Sequence, residues 1–180
     1  MDISSLLSAE LKKQALSQIT KQIGGDSKVS QALIAKALPS ILSGLEKNTE
    51  SDDGKKALDT ALEKHTGETK IDMADGAKIL GHILGGNKES EIAKIAKETG
   101  ASEEQSNQAL SMLSSLVMEK LGDQKKAGLG ADDIAKMLSG AGKNASLLQG
   151  FDQDGDGDFD KNDAVKFGIG YMMKKFLGKK

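Results

Sequence analysis

"SEEQSNQALSMLSSLVMEKL", residues 102–121, decides the fold class. Ser102 followed three positions later by Gln105 is a capping box, in which each side chain satisfies a backbone N–H at the start of a helix. Behind it Leu110, Leu113, Leu116 and Val117 recur at helical spacing, with no proline or glycine before Gly122. The run is too long for a strand. It predicts a long apolar helix from Ser102 to about Leu121.

Working outward, glycine is the punctuation. A helical pattern runs from about Ser4 to Ile23 and stops at Gly24-Gly25. The next opens at Ser27, a good N-cap residue. It meets Pro39, which removes an N–H and pushes Leu38 away from helical geometry, so a break or kink is expected there. Another helix spans Asp52 to His65. "MADGAKILGHILGG" (73–86) is a short helix closed by Gly85 and Gly86, Asn87 can cap the one that ends at Gly100, and "GADDIAKMLSG" (130–140) is short again. Nothing alternates apolar and polar residues as a strand would. The fold class is all-α: a multi-helix bundle of short, glycine-punctuated helices. Its body covers residues 1–145, and a separate C-terminal segment covers 146–180.

Two stretches resemble each other. Aligned on Ser27 and Ser102, 75 residues apart, Leu38 meets Leu113, Ile41 meets Leu116 and Leu42 meets Val117. The preceding helices match after a one-residue shift: Leu16 with Ile92, Ile19 with Ile95, Gly24 with Gly100. Duplication and coincidence between amphipathic helices are both open. Helix, glycine turn, helix is also the outline of a DNA-binding helix-turn-helix, so a nucleic-acid-binding regulator is the alternative function. Its chemistry is poor. The first copy offers Lys28, Gln31 and Lys36, but the second opens with Glu103 and Glu104, which phosphate repels. The chain has no Arg, the side chain that grips guanine and phosphate in a fixed fork. Nucleic acid is therefore not the expected partner.

"ALPSILSGLEKN", "DGAKILGHILGG" and "ALSMLSSLVMEKLG" occur in that order. On these segments the chain resembles the YidB-like family of bacterial domains of unknown function, over roughly residues 1–125. The resemblance implies a helical fold, a homeodomain-like first part and an aspartate-rich tail. It brings no activity and no catalytic residues.

The chemistry lies in "GFDQDGDGDFDKNDAV", residues 150–165. A calcium loop of the EF-hand kind places oxygen ligands at positions 1, 3, 5, 7, 9 and 12, with glycine at 6. From Asp152 these are Asp154, Asp156, Asp158 (through its carbonyl), Asp160 and Asp163, with Gly157 at 6 and the apolar Phe159 at 8. Every slot is filled. Position 12 is Asp where Glu is usual, one methylene shorter, which favours a smaller or more hydrated site and lets Mg²⁺ compete with Ca²⁺. Like charges about 4 Å apart repel by roughly 1 kcal/mol in water, and a divalent cation reverses that sign. The twelve residues from Asp152 hold six Asp and one Lys, and the seventeen after them hold five Lys and no acid. That segregation hides inside a formal charge of −2.

All four Phe and the only Tyr fall between Phe151 and Phe176. In the last helix, expected to end near Leu177, Val165, Ile169, Met172 and Phe176 share one face. It packs on its own body or docks a partner, and the expected partner is another copy, making a homo-oligomer. Contact with a membrane surface is a further use for such a face. No segment has the roughly 18 apolar residues of a membrane span. The start, "MDISSLLSAELKKQ", lacks the pattern of a secretory signal, so a cytoplasmic protein is expected. With no Cys, disulfide and thiol chemistry are excluded. His65 is expected at an exposed helix end and His82 packed or bonded to backbone. No nucleophile, base and oxyanion set appears, and Gly85-Gly86 belongs to no phosphate fingerprint. The expected function is a non-enzymatic, cation-binding scaffold or interaction module.

Overall fold

The computed structural model describes residues 9–24, 26–65 and 72–139. They form helices α1 (Ala9–Ile23), α2 (Ser27–Asn48), α3 (Asp52–Lys64), α4 (Met73–Leu84), α5 (Lys88–Thr99), α6 (Glu103–Lys126) and α7 (Ala131–Leu138), with one 3₁₀ turn, Gly85–Asn87. No strand occurs among the described residues, and the fold is all-α. The expected domain boundary near residue 145, the aspartate loop and the C-terminal helix lie outside them.

Helix α6 is the axis of the body. α1, α2, α3, α4, α5 and α7 all touch it, α4 most extensively. The capping box forms: Ser102 Oγ accepts from Gln105 N at 3.1 Å and Ser102 N donates to Gln105 Oε1 at 2.9 Å. Gln105 Nε2 also donates to the carbonyl of Ile23 at 3.3 Å. That bond serves a carbonyl left without a partner at the end of α1. The helix outlasts its expected end by five residues, from Leu121 to Lys126, because Leu121 and Gly122 are still buried.

Pro39 does not end α2, which runs unbroken from Ser27 to Asn48. An interior proline costs a helix about 3 kcal/mol. Leu38, Ile41, Leu42 and Leu45 around it are all buried, each contributing roughly 1.5–3 kcal/mol. Packing outweighs the local penalty.

The cap of α2 is Asp26, whose side chain accepts from Lys28 N; Ser27 is already helical. This changes the register of the internal match. Gly24-Gly25-Asp26 now corresponds to Gly100-Ala101-Ser102, and one offset (100 − 24 = 76) carries both helices without a gap. The two turn glycines share left-handed φ values of +61° and +73°, which glycine adopts without a Cβ penalty. Ser30 N bonds to Asp26 O at 3.1 Å and Ser106 N to Ser102 O at 2.9 Å. Ile19 and Ile95, Ser30 and Ser106, Leu33 and Ala109, Ile34 and Leu110, Ile41 and Val117, and Leu45 and Leu121 are buried in both hairpins. The first helix of each hairpin, α1 or α5, packs against the second helix of both, α2 and α6. Asn87 precedes α5 but makes no side-chain cap bond, since the 3₁₀ turn already leads the chain into the helix.

Close approach needs glycine at specific places. A Cβ on Gly76 of α4 would lie 2.2 Å from the carbonyl oxygen of Ser111 in α6, and one on Gly44 of α2 would lie 2.5 Å from Ile83 Cγ2. These contacts let α4 settle into the angle between α2 and α6. Among the described residues no helix is long and apolar enough to cross a membrane.

Candidate functional site

The C-terminal end of α2, the start of α3 and the end of α4 leave an apolar cavity of about 400 Å³. Leu45, Leu58, Ile79, Ile83 and Met118 form its walls, with Asn48 and His82 at the polar side. Asn48 Nδ2 donates to the carbonyls of His82 at 3.1 Å and Ile83 at 3.3 Å. The last carbonyls of a helix have no partner within it, so Asn48 closes α4 from outside. The cavity walls carry no carboxylate and no amine.

The two histidines reverse their expected roles. His65 sits at a helix end, as the C-cap of α3, but its side chain is only 13% exposed and its Nε2 lies 3.6 Å from Asp75 Oδ2 on α4. Its backbone is crowded by α6, where a Cβ on Gly122 would come 3.0 Å from His65 O. His82 is exposed. The buried positions of α4 are Gly76, Ile79, Leu80 and Ile83, and His82 lies off that face. Composition around a histidine did not reveal this; the helical angle relative to Ile79 and Ile83 does.

Charged contacts tie the periphery. Lys125 of α6 pairs with Asp59 and, at 3.4 Å, with Glu63 of α3; the hydrogen bond to Asp59 holds the ammonium above its ordinary range. Ser40 of α2 donates to Glu91 of α5. Lys55 of α3 donates to Asp132 of α7 at 3.0 Å. That hydrogen bond, with the positive charge behind it, holds the Asp132 carboxyl below its usual value. A depressed carboxylate stabilises the fold above the ordinary carboxylate range, and the contribution is lost as pH falls through the folded value. In Lys55→Met, Asp132 should titrate closer to an ordinary aspartate, a rise readable by NMR. An unchanged Asp132 curve would show that the pair does not persist in solution.

Among the described residues no group of three or more His, Cys, Asp or Glu is placed to hold a metal ion. Asp152, Asp154, Asp156, Asp158, Asp160 and Asp163 lie outside the described residues, as do Val165, Ile169, Met172 and Phe176. The second helices of the two would-be helix-turn-helix units, α2 and α6, are the inner pair of the body. Leu33, Ile34, Leu110 and Leu116 are all within 1% of full burial. A recognition helix must instead present its outer side to a groove.

Fold and contacts together define a helical protein built from two corresponding hairpins and a glycine-seated fourth helix. The chain belongs to the family described as bacterial protein of unknown function (DUF937), whose model matches residues 5–124 and again 90–180. The two matches overlap over residues 90–124, which is all but the first two residues of α5 and the last two of α6. No curated protein and no solved structure matches the chain.

Proposed function

We propose that this protein is a non-enzymatic, cytoplasmic, calcium-binding helical module that associates with copies of itself, of the YidB-like kind within its family. The observation that carries the reading is the register of residues 152–163. Oxygen donors stand at positions 1, 3, 5, 7, 9 and 12 and glycine at 6, the pattern that wraps a hard cation in six to eight oxygens. Asp152, Asp154, Asp156 and Asp163 would supply carboxylates, Asp158 its carbonyl, and Asp160 the position often reached through a water. A solvated acidic linker has no use for Gly157 and Phe159 at those two places.

The ion would relieve the repulsion among the carboxylates and order the start of the helix that follows. Starting a helix is its most costly step. Val165, Ile169, Met172 and Phe176 would then stand on one rigid face available to a second copy. The burial of α2 and α6 weighs against the nucleic-acid alternative, as does the absence of Arg.

Titration calorimetry tests the reading. The intact chain is expected to bind one Ca²⁺, with Mg²⁺ competing. Asp152→Ala and Asp156→Ala should each abolish binding, since each removes a carboxylate that contacts the ion. Unchanged heats in both variants would falsify the loop assignment. Sedimentation with Ca²⁺ and with chelator, repeated on Phe176→Ala, tests the association; a monomer under both conditions would remove that part.

A further inference from the structure

The cavity where α2, α3 and α4 meet is a space this chain has the means to fill. Its volume is about 400 Å³, whereas protein cores keep few voids larger than a water molecule. Its aliphatic walls, Leu45, Leu58, Ile79, Ile83 and Met118, are all buried. The exposed residues of the lining are Asn48, Ala57 and His82, so these three mark the mouth.

The internal match shows that the space follows from a choice of side chains. The offset of 76 that relates the hairpins also carries Gly54 to Gly130, Leu58 to Ile134 and Leu62 to Leu138. So α7 corresponds to α3, and those four aliphatic residues are buried. At the cavity, Thr49, Ala57 and Ala61 correspond to Lys125, Asp133 and Met137. Two charges and a long side chain in one unit are a hydroxyl and two methyls in the other. The Thr49 hydroxyl is itself engaged with the carbonyls of Leu45 at 3.0 Å and Glu46 at 2.9 Å. Asn48 Nδ2 is spent on the carbonyls of His82 and Ile83, which leaves its Oδ1 an acceptor that no described residue serves. α2 ends at Asn48 and α4 at Leu84. The partial negative charge of two helix C-termini beside the mouth, with no amine in the lining, disfavours an anion.

We infer that this cavity is a binding site for a small neutral amphiphile, an aliphatic chain that ends in a hydroxyl or amide. The chain lies among Leu45, Leu58, Ile79, Ile83 and Met118. The head stays at the mouth, where it donates to Asn48 Oδ1 and meets the His82 ring, which has both a donor and an acceptor nitrogen when neutral. A water takes about 30 Å³ of liquid and a chain carbon a similar volume, so the cavity accepts on the order of ten non-hydrogen atoms. Apolar walls with a few polar groups at one side are the usual make-up of a small-molecule site. The inference does not depend on the cation loop.

1-Octanol has the right size and head, and octanoate is the same chain with a charge. Each is titrated into the intact chain while the methyl signals of Leu, Ile and Met are followed by NMR. Octanol should shift the methyls of Leu45, Leu58, Ile79, Ile83 and Met118 saturably, and octanoate should bind at least about tenfold more weakly, because its charge finds no partner there. Ala61→Met puts into the cavity the side chain that the other unit carries, and Ala57→Leu narrows the mouth. Displacing two buried methylenes is worth about tenfold in affinity, so each variant should lose at least that, with circular dichroism showing that it is folded. Shifts spread over the whole body without saturation, or no shift at all, would overturn the site. Octanoate binding as well as octanol would overturn the neutral class. Undiminished binding in a folded variant would place the ligand elsewhere. Methyl shifts that follow protein concentration and not octanol would give the cavity to a second copy and sink the inference. If neither variant folds, saturation and confinement of the shifts in the wild type decide.

Discussion

Gly76→Ala is expected to destabilise the protein by about 3 kcal/mol, at the upper end of what overpacking usually costs. The added methyl would sit 2.2 Å from the carbonyl oxygen of Ser111 and 2.9 Å from its carbonyl carbon. Both belong to the backbone of α6, so no side chain can swing aside. Helix α4 must back away instead, and Ile79, Leu80 and Ile83 on the same face lose contact with it. Gly81 is the internal control. It lies in the same helix, and a methyl added there would meet nothing within 4 Å, so Gly81→Ala should stabilise by up to about 1 kcal/mol through helix propensity alone. Urea unfolding followed by circular dichroism reads both. A Gly76→Ala protein as stable as Gly81→Ala would mean that α4 does not lie so close to α6.

Leu110→Ala should cost a similar amount, about 3 kcal/mol within the 2–5 usual for a buried leucine. Leu110 is fully buried in the α6 stretch that meets both hairpins. Its counterpart one offset earlier, Ile34, is 1% exposed. Truncation leaves a hole between helices that are held from several sides and cannot collapse inward. Leu110→Met keeps the volume and should lose less than about 1.5 kcal/mol. Denaturant midpoints for the pair measure the difference. Equal midpoints would place Leu110 at a yielding edge of the body and not at its centre.

Much of the architecture was legible because it is local. The Ser102–Gln105 box, the glycine stops at Gly24, Gly85 and Gly100, and the helical apolar spacing act within a few residues of one another. Each appears in the structure where the sequence puts it. The errors arose where a local signal competed with packing. Pro39 signals a break, yet four buried aliphatic neighbours carry α2 through it. Ser27 signals a cap, yet Asp26 takes the role, and that single residue turns a gapped match into a constant offset of 76. His65 and His82 exchanged environments because burial depends on which way a helix turns toward its neighbours.

By itself the sequence determined the helical class, the positions of most helix ends and the oxygen pattern of residues 152–163. Capping, glycine conformation and ligand spacing are all short-range properties of the chain. Tertiary structure alone decided that α2 and α6 lie inside with α1 and α5 each touching both, that α4 is seated through Gly76, and that His65 meets Asp75. Those arrangements join residues far apart in the chain, and they follow from which apolar faces bury together, a choice no short stretch of sequence contains.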